Sequence, residues 1–117
     1  MKMFSSDRVF SVFSYDISHG LLLLRSGKER YGKNAKRVDI LFQDVVSIEC
    51  RMTIDGLEIK KENEIFLEEF KSKPSQIIEV GHNIFSISSK DWSGYVVAGS
   101  MTFFEDDRDF MASSSLF

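Results

Sequence analysis

A strict alternation of apolar and polar residues from Val46 to Ile54 is the feature that most constrains the fold of this chain. Apolar side chains take every even position of the segment, and polar side chains take every odd position between them. Because successive side chains of a strand point to opposite faces, this pattern predicts a β-strand with one buried face. Asp55-Gly56 follows, a pair that favours a two-residue turn, and the alternation resumes at Leu57. We therefore expect a β-hairpin centred on Asp55-Gly56.

Other segments show the same strand-like character, with turn residues between them. They are Val9–Tyr15, Gly20–Arg25, Val38–Phe42, Ile77–Val80, Ile84–Ser89 and Tyr95–Phe104. Residues 63–72 fit both helical spacing and strand alternation, so both alternatives stay open there. The sequence thus predicts a mainly β fold, or an α+β fold with one short helix. The architecture expected is an antiparallel sandwich, roll or small barrel of seven to eight strands.

Length and composition indicate one domain, residues 1–117, with a core of its own. The chain is 43% hydrophobic and 28% charged, which excludes the composition of disordered chains. Its one cysteine, Cys50, cannot form an internal disulfide and falls on the apolar face of its strand, where a free thiol packs as a small hydrophobe. The longest apolar run, Leu21–Leu24, is far shorter than the roughly 20 residues of a membrane span. We expect a cytoplasmic protein without a secretory signal, membrane anchor, metal or cofactor.

The most distinctive chemical feature is a basic segment between positions 25 and 37. It carries a local charge of +5, whereas the whole chain carries −3, and Tyr31 could stack on a ligand. Such a segment can bind a phosphate, a nucleic acid or an acidic protein face, or it can simply keep an exposed loop soluble. The acidic pI of 5.4 argues against nucleic acid. The predicted partner-binding residues are Arg25, Lys28, Arg30, Tyr31, Lys33, Lys36, Arg37 and Trp92.

Other polar and aromatic residues are weaker candidates. His19 lies near Asp16 and Ser18, an arrangement typical either of a base with its orienting acid or of hydrogen bonds within a turn. His82 stands in a predicted turn of its own. The acidic residues of 105–109 lack the spacing of a calcium loop, so they form a solvated terminus or a protein-binding patch. Trp92, in a glycine-containing turn, either plugs the end of the β scaffold or contacts a partner.

Three stretches of the chain resemble a pattern found in small uncharacterised bacterial proteins, some of the toxin-immunity type. These stretches are Ser18–Ser26, Val38–Val45 and Asp55–Ile59. The resemblance implies an intracellular protein that neutralises a partner by binding it, and it supplies no catalytic residue. The run from Phe42 to Ile48 is also similar to strands of pleckstrin-homology-like domains.

The function expected from the sequence is that of a non-enzymatic protein-binding module. Its surface would be basic at the segment from Arg25 to Arg37 and acidic at the carboxyl end, and it would select its protein partner by charge. The alternative is a small-molecule binder or enzyme with an apolar pocket inside the β scaffold, lined by phenylalanines and closed by Trp92. A third hypothesis is self-association through an exposed strand edge.

Overall fold

In the computed structural model, residues 1–28, 36–63, 65–66 and 81–114 are described. This part of the chain forms eight strands in one antiparallel sheet, so the prediction of a mainly β fold is confirmed. The strands are β1 (Lys2–Asp16), β2 (Leu21–Ser26), β3 (Arg37–Gln43), β4 (Ser47–Glu49), β5 (Thr53–Glu62), β6 (Asn83–Ser88), β7 (Ser93–Ala98) and β8 (Ser100–Asp106). Their order in the sheet is β4-β7-β6-β5-β1-β2-β3-β8.

The two ends of this order meet, because β3 continues into β4 and β7 continues into β8. β3 pairs with β8 and β4 pairs with β7. Between the two ladders the Gly99 amide donates to the Gln43 carbonyl at 2.9 Å, and the Val46 amide donates to the Val97 carbonyl at 2.9 Å. β3 and β4 therefore act as one bent strand that pairs throughout with the bent strand β7 and β8. The sheet closes on itself as a small barrel, one of the three architectures expected.

The barrel encloses the main hydrophobic core. Residues from all eight strands contribute to it, and Phe10, Ile40 and Ile59 are completely buried. A smaller cluster of Ile84, Tyr95 and Val97 lies on the opposite face of β6 and β7, where Phe66 covers it. Three residues of the run Leu21–Leu24, predicted to be buried on both faces, are buried as expected, since Leu22, Leu23 and Leu24 have almost no exposed surface, while Leu21 is half-buried.

The prediction of a hairpin at Asp55-Gly56 is wrong. β5 runs straight through this dipeptide and pairs with β1 on one side and β6 on the other. Gly56 has a φ of +77°, and the β1–β5 register shifts at this point, so the glycine serves a β-bulge instead of a turn. The predicted strand Val46–Ile54 is accordingly split between β4 and β5.

Other predictions on the strands have mixed outcomes. The first hairpin is present, with Tyr15 opposite Leu22 in the β1–β2 ladder. The predicted strand Tyr95–Phe104 is interrupted at Gly99, where β7 becomes β8. The predicted strand 77–80 and most of the ambiguous segment 63–72 lie outside the described residues. Among the residues that are described, no helix is long and apolar enough to cross a membrane.

Candidate functional site

One end of the barrel holds an apolar cavity of about 410 Å³, which we call the mouth cavity. It lies where the β1–β2 hairpin faces the segment that leads from β4 to β5. The described residues that line it are Val12, Phe13, Ser14, Tyr15, Leu22, Ile48, Cys50 and Met52. None of these residues carries a charge. Its volume falls within the roughly 300–1,000 Å³ that small-molecule pockets occupy, and barrel mouths are a frequent location for such pockets.

A β-bulge shapes one wall of the mouth cavity. The β1–β2 register shifts between Val12 and Ser14, which places Phe13 as an extra residue in β1. Phe13 is one of the lining residues, and its ring lies under the guanidinium of Arg25, 3.9 Å from the ring centroid. The opposite wall is tied to β1 by the Val12 amide, which donates to the Met52 carbonyl at 2.9 Å. The cavity is therefore bounded by strand and by a short connection anchored to it.

Cys50 supplies the thiol group of the mouth cavity. Burial raises its pKa from the ordinary value of 9.0 to about 11, and its Sγ donates to the Arg51 carbonyl at 3.1 Å. Because the thiolate is the nucleophilic form of cysteine, this thiol is protonated and weakly reactive at neutral pH. The cavity wall at Cys50 is chemically suited to contact an apolar group.

The outer face of β2 and β3 carries a buried charge cluster, which we call the arginine clamp: Arg25, Arg37, Asp39 and Asp106. Arg25 stands directly opposite Asp39 in the β2–β3 ladder and binds its carboxylate through two bonds of 2.6 and 3.0 Å. Arg37 binds the Asp106 carboxylate in the same bidentate way, at 2.9 and 2.8 Å. Both arginine side chains are 0% exposed. The cluster is neutral overall, since two positive charges match two negative ones.

The arginine clamp also fixes the C-terminal strap, residues 107–114. Arg25 donates to the carbonyls of Phe110 and Ala112. Arg37 donates to the carbonyls of Asp109, Ala112 and Ser113, at 2.8, 2.8 and 2.9 Å. The strap thereby covers the outer face of the sheet. The two arginines donate to strap carbonyl groups that are not part of any strand.

The structure thus brings the basic segment and the acidic carboxyl end together inside one molecule. Arg25 and Arg37, two of the predicted partner-binding residues, lie in the clamp and are not available at the surface. Lys28 donates to the Asp107 carbonyl at 2.7 Å and lies 3.6 Å from the Asp109 carboxylate. Lys36 is exposed. The remaining residues of this prediction, Arg30, Tyr31 and Lys33, lie outside the described residues.

Trp92 is half-buried and packs against the barrel core, which favours the interpretation as a plug. Its indole ring lies over Gly94, where a Cβ would overlap both the ring and the Glu49 carbonyl of β4. The Arg51 guanidinium also lies over this ring, 5.6 Å from its centroid. Trp92 is not among the described residues that line the mouth cavity, so the predicted pocket closed by this residue is not the one found.

The histidines do not assemble a catalytic triad. The His19 Nδ1 atom lies 2.8 Å from the Asp16 carboxylate and 3.2 Å from the Ser18 Oγ, and the Ser18 hydroxyl donates to the same carboxylate at 2.8 Å. These bonds hold the β1–β2 turn. His82 is nearly buried, with Nε2 3.1 Å from an Asp44 carboxylate oxygen, yet within the described part of the chain neither ring nitrogen forms a hydrogen bond. Within the described ranges, no three metal-ligating side chains converge.

Sequence patterns missed most of the mouth cavity and the partners of the two arginines. The cavity residues Val12, Ile48 and Met52 look like ordinary strand residues, and no local signal marks them. The sequence did contain an indication of the arginine clamp, because the run Leu21–Leu24 is apolar on both faces. A strand covered on both sides places the next residue, Arg25, in a covered position as well, where it requires a carboxylate such as Asp39.

Comparison of the chain with protein-family models, with curated proteins and with solved structures finds no match.

Proposed function

We propose that this protein is a non-enzymatic binding module that holds a small apolar molecule in the mouth cavity. The observation that carries the proposal is the cavity itself, about 410 Å³ in volume and lined by uncharged side chains at the end of a closed barrel. Burying apolar surface there stabilises a complex by roughly 25 cal/mol per Å² before the cost of association. The proposed function corresponds to the alternative predicted from the sequence, a small-molecule binder with an apolar pocket inside the β scaffold.

The chemistry of the lining favours binding over catalysis. Tyr15 and Cys50 are its titratable residues, and the Cys50 thiol is protonated at neutral pH because its pKa is about 11. Covalent catalysis needs an activated nucleophile with a base beside it. The described lining residues include no histidine or carboxylate that could serve as that base.

A charge-guided protein partner is less well supported by the geometry. Arg25 and Arg37 donate hydrogen bonds to Asp39, to Asp106 and to the strap, and Lys28 contacts the strap as well. Lys36 is the described residue of the predicted partner-binding set that stays exposed without these contacts. An immunity-type role and self-association through a strand edge also stay predictions from the sequence.

Fluorescence titration with N-phenyl-1-naphthylamine, an uncharged apolar probe that brightens in apolar surroundings, tests the proposal. Met52→Glu places a carboxylate at the cavity, and Met111→Glu is the matched control. Both methionines are largely exposed, 67% and 78%, so neither change disturbs the core. Because a charge is costly beside an apolar ligand, we expect Met52→Glu to weaken probe binding about tenfold or more.

The control variant Met111→Glu, on the strap, should bind the probe as the unmodified chain does. Absence of saturable probe binding to the unmodified chain would refute the proposal. Equal affinities of the two variants would also refute it, because the probe would then occupy another surface.

A further inference from the structure

Phe13 belongs both to the mouth cavity and to the contact between the sheet and the strap. It is one of the residues that line the cavity. Its ring lies under the Arg25 guanidinium, and it meets the Phe110 ring of the strap edge to face, with the ring centroids 5.4 Å apart. Phe13 therefore connects the strap to the wall of the cavity.

The bulge in β1 makes the position of Phe13 depend on these outer contacts. In the β1–β2 ladder Val12 stands opposite Leu24, and the next pair is Ser14 with Leu23, so Phe13 has no partner residue in β2. The extra residue of a bulge is left out of the regular pairing of the ladder. Since Val12 and Ser14 line the cavity as well, a displacement of Phe13 changes three consecutive residues of the wall.

Phe110 is fixed on the outer face of the sheet by its ring and by its backbone. A Cβ added at Gly27 would lie 3.0 Å from the Phe110 ring, so this ring packs closely against the backbone that follows β2. The Phe110 carbonyl accepts a hydrogen bond from Arg25. The docked strap thus presses an aromatic ring against Phe13 at a defined place.

The strap is a part of the outer surface that can leave without breaking the sheet. Residues 107–114 form no strand, and Met111 at their middle is 78% exposed. The two bidentate arginine–aspartate pairs of the clamp do not involve the strap, so undocking leaves both arginine charges paired. Segments outside the strand pairing open at a lower free energy than core strands do.

We propose that docking of the strap raises the affinity of the mouth cavity for its apolar ligand, with Phe13 as the shared residue. This inference rests on the proposed function and concerns the regulation of the same site. The docked strap holds Phe13 in place and with it the adjacent residues of the cavity wall. When the strap undocks, the wall loses that support and the ligand loses apolar contacts. Because coupling between two sites is reciprocal, a bound ligand also keeps the strap docked.

Phe110→Ala removes the ring that contacts Phe13, and Met111→Ala is the matched control on the next residue of the strap. Neither residue is among those that line the cavity. In titrations of the full chain with N-phenyl-1-naphthylamine, we expect Phe110→Ala to weaken probe binding at least about threefold, the scale of one edge-to-face aromatic pair. Met111→Ala should bind the probe as the unmodified chain does. Equal affinities of the two folded variants would overturn the inference.

Trypsin cleavage of the unmodified chain measures the reciprocal effect without any substitution. Arg108 lies in the strap and Lys90 lies in the β6–β7 turn; both are exposed, and an aspartate follows each of them. Cleavage after Arg108 reports the population of the undocked strap when opening is fast. Saturating probe should slow this cleavage at least about threefold relative to cleavage after Lys90, as measured by mass spectrometry. Equal slowing at the two bonds would overturn the inference.

The two proposals fail in different ways. If the probe binds but neither Phe110→Ala nor the cleavage after Arg108 responds, the coupling is wrong and the binding function stands. If the probe itself does not bind, the proposed function fails first.

Discussion

Asp39→Asn tests whether Arg25 is a buried structural residue or part of an exposed binding loop. The carboxylate of Asp39 receives two hydrogen bonds from Arg25, at 2.6 and 3.0 Å, and the two side chains are 0% and 1% exposed. Neutralising Asp39 leaves the guanidinium charge buried without its main counter-charge. Removing one partner of a buried pair typically costs about 3–5 kcal/mol, so we expect the free energy of unfolding to fall by that amount.

Urea denaturation followed by the fluorescence of Trp92, the single tryptophan of the chain, measures this loss. The midpoint should fall while the slope with denaturant stays the same, because the surface exposed on unfolding does not change. Asp109→Asn is the matched control, since Asp109 is 91% exposed and forms a surface pair with Lys28. Surface pairs contribute about 0–1 kcal/mol, so the control should be nearly neutral.

Replacing both members of the buried pair separates the charge from the packing. Arg25→Met combined with Asp39→Leu removes both charges, and the double variant should be more stable than Asp39→Asn alone. A loss below about 1 kcal/mol in Asp39→Asn would refute the reasoning. Arg25 would then be solvated, as the sequence interpretation of a basic binding segment requires.

Two further predictions concern the turn and the β4 junction. The pKa of Asp16, measured by NMR titration, should lie below the ordinary 3.8, because the Ser18 hydroxyl and then the His19 imidazole bond to the charged form. Any stability from these bonds is present above the ordinary pKa of Asp16 and is lost as the pH falls through its lowered pKa. Ser18→Ala should raise the pKa of Asp16. An unchanged pKa in this variant would contradict the Ser18–Asp16 hydrogen bond as the main cause of the shift. Gly94→Ala should destabilise the fold by about 1–3 kcal/mol or more, because the added Cβ would overlap the Glu49 carbonyl and the Trp92 ring. Thermal denaturation measures this loss. An unchanged stability would show that β4 does not pack against Gly94.

Much of the fold follows from local sequence rules. Strand alternation is a direct consequence of backbone geometry, and it located β3 and β6 within about two residues, while the continuous apolar run Leu21–Leu24 located β2. The error at Asp55-Gly56 has a physical origin, because a glycine with positive φ serves a hairpin turn and a β-bulge equally well. Which of the two forms depends on the neighbouring strand β1, and that pairing is remote in sequence.

The candidate sites were less predictable for the same reason. The basic segment near Arg25 and the acidic end near Asp106 are visible as separate charge runs, and each by itself fits either a surface for a partner outside the chain or a solvated segment. Only the β3–β8 ladder, in which Arg37 stands opposite Asp106, shows that each is the other's partner. The mouth cavity depends on the crossing of a hairpin and a connection, so residues such as Met52 gave no local indication of it.

Protection of Cys50 from alkylation by a neutral maleimide tests the central claim most directly, because the single thiol of the chain lies in the cavity wall. Its pKa of about 11 makes the reaction slow at neutral pH, so the rate is best measured near pH 9 by mass spectrometry. We predict that saturating N-phenyl-1-naphthylamine slows the alkylation in proportion to its occupancy measured by fluorescence. An unchanged alkylation rate while the probe is bound would place the ligand elsewhere and contradict the assignment of the mouth cavity as the binding site.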